Sequence, residues 1–229
     1  YNSGKRWNGA DPRDTQKYIT GQWAKCRAEL QGLQYAGIRV TEPHNDETPH
    51  WHLLLFVHPD CKAVLVDTCR KYAMQHDATE SGADKHRFTV EDIDPQKGSA
   101  VGYIAKYISK SISPAAPAAD LPDVETGELL SDTADKVRAW ASRWGIRQFQ
   151  FVGVPPVTVW RELGRIREPL TCEDTEAVRV AADKGRFAEY IQLMGGLCAK
   201  RGQHPVAVLQ HERQTGYGVI RSKVAGIIN

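Results

Sequence analysis

The chain has 229 residues, 41% of them hydrophobic and 25% charged, with a mean hydropathy of -0.48 and a formal net charge of +2. That is soluble globular composition, long enough for one sizeable core; membrane, collagen-like, coiled-coil and wholly disordered classes are excluded. Five cysteines with no C-x-x-C pair argue against a disulfide framework or a Cys-rich zinc site and point to a reducing cytosol. The polar start Tyr1-Asn2-Ser3-Gly4-Lys5-Arg6 lacks a Met and an apolar signal core, and reads as a cut from a longer protein.

In chain order, Tyr18, Ile19, Trp23, Cys26, Leu30 and Leu33 recur at helical spacing and predict a helix over Asp14 to Leu33. A strand fits Ile38 to Glu42, and a polar turn through Pro43 to Pro49 leads into a second strand from His50 through Val57. The two make an antiparallel hairpin whose run Leu53-Leu54-Leu55-Phe56-Val57 is apolar enough for burial on both faces. A helix over Asp60 to Gln75, a strand over Arg87 to Ile93 and a helix over Ser99 to Ile112 follow. Residues 113–132 turn to Pro, Ala and acids, the composition of a flexible acidic loop. Beyond it are a helix over Thr133 to Trp144, a strand over Gly145 to Val152, a helix opened by Pro155-Pro156 to about Arg167, and helical pattern over 172–195. The tail from His204 fits strand or loop. A hairpin mixed with helical crossovers favours an α+β sandwich with a largely antiparallel sheet.

Charge is unevenly distributed. Residues 1–40 carry +4 and 136–170 carry +5, whereas 41–60 carry -4 and 115–135 carry -6 with no Lys or Arg. Such blocks suit solvated surface, or basic walls for a polyanion beside an acidic pocket for a cation.

The first chemical constellation lies in the hairpin. Alternate strand residues share a face, so His50 and His52 project together, about 7 Å apart at their roots, while Trp51 points away. Glu42 closes the adjacent strand, and the turn brings its carboxylate opposite the histidines. Two His and a carboxylate can hold a divalent ion with positions left open for substrate. His44, in the turn, competes with Glu42 as third ligand. Packing roles at the start of a core strand would also explain the H-x-H.

The second constellation lies on the helix after Gly98. Val101, Ile104, Ala105, Ile108 and Ile112 form its apolar stripe, and Tyr103, Lys106, Tyr107 and Lys110 cluster opposite. A phenol, with a pKa of about 10, attacks phosphorus only when its proton is lost and charge is drawn from the phosphate. A lysine and a divalent metal serve those ends. Packing tyrosines with solvated lysines are the alternative.

Together, His50-Trp51-His52 with its apolar run and Tyr103-Ile104-Ala105-Lys106-Tyr107-Ile108-Ser109-Lys110 resemble the HUH endonucleases, and within them the two-tyrosine initiators of the gene A type. Thr41-Glu42-Pro43-His44, Thr48 to Phe56, Trp144 to Phe151 and Gly153 to Leu163 narrow the resemblance to the replication gene A family of P2-like bacteriophages and prophages. It implies an HUH fold: a central antiparallel sheet with the histidine strand in its middle and helices packed on one side. The endonuclease domain would span residues 1–170, and a mostly helical extension 171–229. It also implies a site-specific nickase and ligase on single-stranded origin DNA, starting rolling-circle replication through a covalent 5′-phosphotyrosine. Tyr103 and Tyr107 would be the nucleophiles, Lys106 and Lys110 would stabilise phosphate or tyrosinate, and His50, His52 and Glu42 would hold Mg²⁺ or Mn²⁺. A host helicase and polymerase would be partners, in a bacterial cytoplasm, with no membrane role. Arg39, Arg87, Arg138, Arg143, Arg147 and Arg161 are candidates for lining the DNA path, and Trp51, Trp144 or Trp160 for stacking a base.

Other readings predict different chemistry. A transposase or relaxase-like strand transferase would react almost identically. A non-catalytic DNA-binding module would form no adduct, and a metallohydrolase would cut through a metal-bound water without one.

Overall fold

The computed structural model describes residues 9–94, 96, 99, 102, 130–214 and 220–228. Apart from Ser99 and Gly102, the helix predicted over Ser99 to Ile112, with Tyr103, Lys106, Tyr107 and Lys110, lies outside the described residues, as does the acidic loop up to residue 129.

Helix α1 (Pro12–Glu29) starts where its sequence allows. Pro12 stands in the first turn, and the Asp11 carboxylate accepts a 2.8 Å bond from the Asp14 N–H. It buries Gln22, Trp23 and Cys26. Strand β1 (Tyr35–Pro43) follows, then β2 (Pro49–Val57). Their turn is closed by the His44 N–H donating to the Thr48 carbonyl at 2.8 Å and by Asp46 accepting from the Thr48 N–H at 3.0 Å. Gly37 allows the strands to close up: a Cβ there would stand 1.9 Å from the Leu54 carbonyl oxygen. Helix α2 (Lys62–Ala73) packs beside α1, and a short helix α3 (Ala83–His86) follows.

After Leu130–Trp144 (α4), strand β3 (Phe149–Val152) joins the sheet, whose order is β2-β1-β3. The Thr41 N–H donates to Gln148 at 2.8 Å, whereas Gly153 abuts Tyr35 and Ala36, so β3 runs antiparallel to β1. Among the described residues, the histidine strand β2 therefore lies at an edge and β1 in the middle, contrary to the expected placement. Edge position also explains why Leu53 and Phe56 are 37% and 56% exposed rather than buried on both faces.

Two further expectations are corrected. No strand forms over Arg87 to Ile93. That segment is tied down by side chains instead: Arg87 to Glu80, Lys62 to Asp92, and the Arg70 guanidinium over Phe88. The predicted strand over Gly145 to Val152 shortens to β3, because Gly145 takes a φ of +65° to end α4.

The chain divides into two compact units, 1–33 with 37–151, and 34–36 with 152–229. In the second, α5 (Val157–Leu163), α6 (Glu173–Asp183) and α7 (Phe187–Leu193) bury Val159, Leu163, Val178, Tyr190 and Met194. The helical pattern over 172–195 is split between α6 and α7 at Gly185, whose φ of +69° suits the residue past a helix end. The tail is strand: β4 (Ala207–Gln214) pairs antiparallel with β5 (Ile220–Ile228), so the extension is not mostly helical at its end. Among the described residues, no helix is long and apolar enough to cross a membrane.

Candidate active site

The alternation of β1 and β2 assigns their side chains to two faces. Arg39 and Trp51 share one, and Glu42, His50 and His52 share the other. On the second face His52 Nε2 stands 3.3 Å from Glu42 Oε2, the carboxylate being about one-tenth exposed. The His50 ring lies 4.5 Å from that of His52, and the His44 ring 4.4 Å from that of His50, both centroid to centroid. The four groups thus adjoin on one face: Glu42 meets His52, His52 adjoins His50, and His50 adjoins His44.

The donor chemistry fits a hard or borderline divalent ion, with carboxylate oxygen and imidazole nitrogen as ligand atoms. Two donors each about 2.1 Å from a shared ion lie about 3.0–3.4 Å apart, and the Glu42–His52 gap falls in that range. Among the described residues, no three His, Cys, Asp or Glu side chains converge as a metal-holding group. Glu42 and His52 are the fitted pair, with the His50 ring adjoining His52.

The opposite face braces the histidine strand. Trp51 Nε1 donates to Gln16 Oε1 on α1 at 2.9 Å, and the Arg39 guanidinium lies 4.1 Å from the Trp51 ring centre. Arg39 also donates to the Arg147 carbonyl at 2.8 Å, linking β1 to the segment leading into β3. It is 2% exposed, and burial followed by the nearby Arg147 and Arg27 charges lowers its pKa to about 10. An arginine so buried does not line a DNA path. Sequence periodicity could place Arg39 and Trp51 on one face, but carried no sign of Gln16, 35 residues away along the chain.

The remaining candidates for DNA contact are already engaged in several cases. Trp140 Nε1 donates to the Glu47 carbonyl at 3.1 Å and Trp144 Nε1 to the Glu47 carboxylate at 3.3 Å, fastening α4 to the hairpin turn. Arg143 lies over Trp144, Arg138 pairs with Asp135, and Arg147 bonds the Phe149 carbonyl. Trp160 packs edge-on against Phe187 and Tyr190 in the second unit's core. Arg161 is exposed.

Among protein families, the one described as bacteriophage replication gene A protein (GPA) matches residues 1–114. The replication gene A protein of Escherichia phage 186 is 48% identical over 217 residues, covering 91% of this chain and 31% of that protein. The probable replication protein P12 of Pseudoalteromonas phage PM2 is 46% identical over 231 residues, covering 97% and 36%. A probable replication endonuclease from prophage-like region 1 of Salmonella typhi is 35% identical over 240 residues, covering 96% and 30%. The chain thus spans about a third of the length of the curated relatives it matches. No solved structure matches it.

Proposed function

The chain belongs to the bacteriophage replication gene A protein family, and from that premise we propose that it is the DNA-nicking part of a replication initiator. It cleaves single-stranded origin DNA by transesterification: a tyrosine oxygen bonds to phosphorus, the 3′-oxygen leaves as a free hydroxyl, and the 5′ end stays linked as phosphotyrosine. The conserved bond energy lets the strand be rejoined without ATP. The observation that carries the reading is the approach of Glu42 from β1 to His52 from β2 at 3.3 Å, with His50 alongside.

Glu42, His52 and His50 would hold Mg²⁺ or Mn²⁺. Such an ion, when bound, draws charge from the phosphate oxygens. Tyr103 and Tyr107 supply the nucleophiles, one remaining free for a second cleavage while the other is esterified. Lys106 and Lys110 receive the developing negative charge. The hydroxyl released primes synthesis by host polymerase, with a host helicase opening the duplex in the bacterial cytoplasm.

The test is a denaturing gel of the protein mixed with labelled origin DNA and Mn²⁺, beside Tyr103→Phe, Tyr107→Phe, the double variant and a chelator control. A labelled adduct that needs metal and disappears in the double variant is the expected result. Cleavage without an adduct would replace this mechanism by hydrolysis, and an adduct surviving in the double variant would reassign the nucleophile.

A further inference from the structure

Away from the histidine face, two thiols meet between α1 and α2. Cys26 Sγ and Cys69 Sγ lie 3.6 Å apart in a hydrogen bond, though 43 residues separate them along the chain. The other three cysteines make no such thiol pair among the described residues: Cys61 is half-buried, Cys172 is exposed, and Cys198 bonds the Tyr35 carbonyl.

The helices hold this pair in register. Near it along both helices, Glu29 accepts two bonds from Lys71 Nζ, at 2.9 and 2.7 Å, and one from Tyr72 Oη at 2.7 Å. Glu29 follows Cys26 by three residues, and Tyr72 follows Cys69 by three, so the polar clamp and the thiol pair are successive contacts of the same two helix faces. Cys26 is 1% exposed, whereas Cys69 is half-buried and is the thiol a small oxidant reaches. The hydrogen bond from Cys26 favours the Cys69 thiolate, lowering its pKa; the same bond, with burial, raises that of Cys26.

We propose that Cys26 and Cys69 are a redox modification site, a dithiol that a peroxide converts to a disulfide stapling α1 to α2. The Cys69 thiolate attacks one oxygen of hydrogen peroxide, breaking the O–O bond and forming a sulfenic acid as hydroxide leaves. The Cys26 sulfur then attacks the Cys69 sulfur, and the sulfenic oxygen leaves as water with the proton Cys26 gives up. Two thiols and one peroxide become one disulfide and two waters. In a reducing compartment such a bond is transient, and thiol exchange reopens it.

The experiment uses the full chain, fully reduced, then exposed to one equivalent of hydrogen peroxide under native conditions and quenched with N-ethylmaleimide. The expected product is about 2 Da lighter before alkylation. It takes label at three of its five cysteines, and on digestion yields a peptide joining Cys26 to Cys69. Its melting temperature rises by about 5 °C or more, returning on reduction, because the bond closes a long loop in the unfolded chain. Cys69→Ser, at the half-buried position, should abolish both the cross-link and the rise while leaving the melting temperature of the reduced protein close to that of wild type. Labelling of all five thiols after oxidation would overturn the proposal. So would a bridge to Cys61, Cys172 or Cys198, or oxidation of Cys69 to sulfinic acid with Cys26 still free.

Discussion

At the scale of single residues, the histidine face divides roles that its composition leaves equal. Glu42 pairs with His52 at 3.3 Å, His50 adjoins His52, and the His44 ring packs edge-on against His50. Glu42→Ala and His52→Ala should therefore each reduce adduct formation by about 100-fold or more, on the scale of effects seen when the environment of a bound metal is disturbed. His44→Ala should cost less than about fivefold, because the 3.3 Å carboxylate–imidazole pair is made by His52. Initial rates on one origin oligonucleotide, with circular dichroism to confirm folding, check the ordering. Equal losses in all three would make His44 a ligand. The H-x-H and its shared face were legible in the sequence, because strand alternation is a local rule. Which of two turn-flanking side chains meets His52 was not, because that depends on how the turn at Asp46 to Thr48 closes.

At the scale of elements, helix α6 carries an electrostatic clamp that sets a pH response. Glu176 accepts from Arg179 Nε at 2.8 Å, from Arg179 Nη2 at 2.7 Å and from the Leu170 N–H at 2.8 Å. The Arg179 bonds first, and the Leu170 N–H second, lower its pKa from 4.5 to about 2. A carboxyl whose folded pKa is depressed stabilises the fold fully above its unfolded pKa, here 4.5, and loses that contribution as pH falls through about 2. The melting temperature of wild type should exceed that of Glu176→Gln at pH 6, and the difference should close between pH 4.5 and about 2. A constant difference across that range would show that the substitution acts through packing. The same helix shows where periodicity misleads: residues 172–195 keep an apolar pattern across Gly185, yet its positive φ breaks them into two helices that fold back on one core.

At the scale of the whole molecule, each compact unit has its own interior. The first is built around Trp23, Leu30, Val40 and Leu65, the second around Leu163, Tyr190 and Met194. An ion held by Glu42 and the histidines, as proposed, would bind the folded first unit only and so would stabilise that unit by mass action. At about a hundredfold excess over its Kd the gain would be about 2.7 kcal/mol, a shift of about 5 °C or more. Differential scanning calorimetry with and without Mn²⁺ should show that shift, its reversal by chelator and its loss in Glu42→Ala/His52→Ala. An undiminished shift in the double variant would move the ion to another site.

The sequence by itself determined the local geometry of this protein. The spacing of apolar residues gave α1 and α2, the polar segment of Pro43 to Pro49 gave a hairpin, and a period of two put His50 and His52 on one face. Each of these follows from backbone repeats and turn lengths within a few residues. The tertiary structure alone decided that β1, not β2, is central among the described residues, that residues 87–93 make no strand, and that the last seventeen described residues pair as β4 and β5. It also decided the contacts of Gln16 with Trp51, of Arg39 with Arg147 and of Cys26 with Cys69. Those partners are 35, 108 and 43 residues apart, and their meeting depends on how whole elements pack, which no local period encodes.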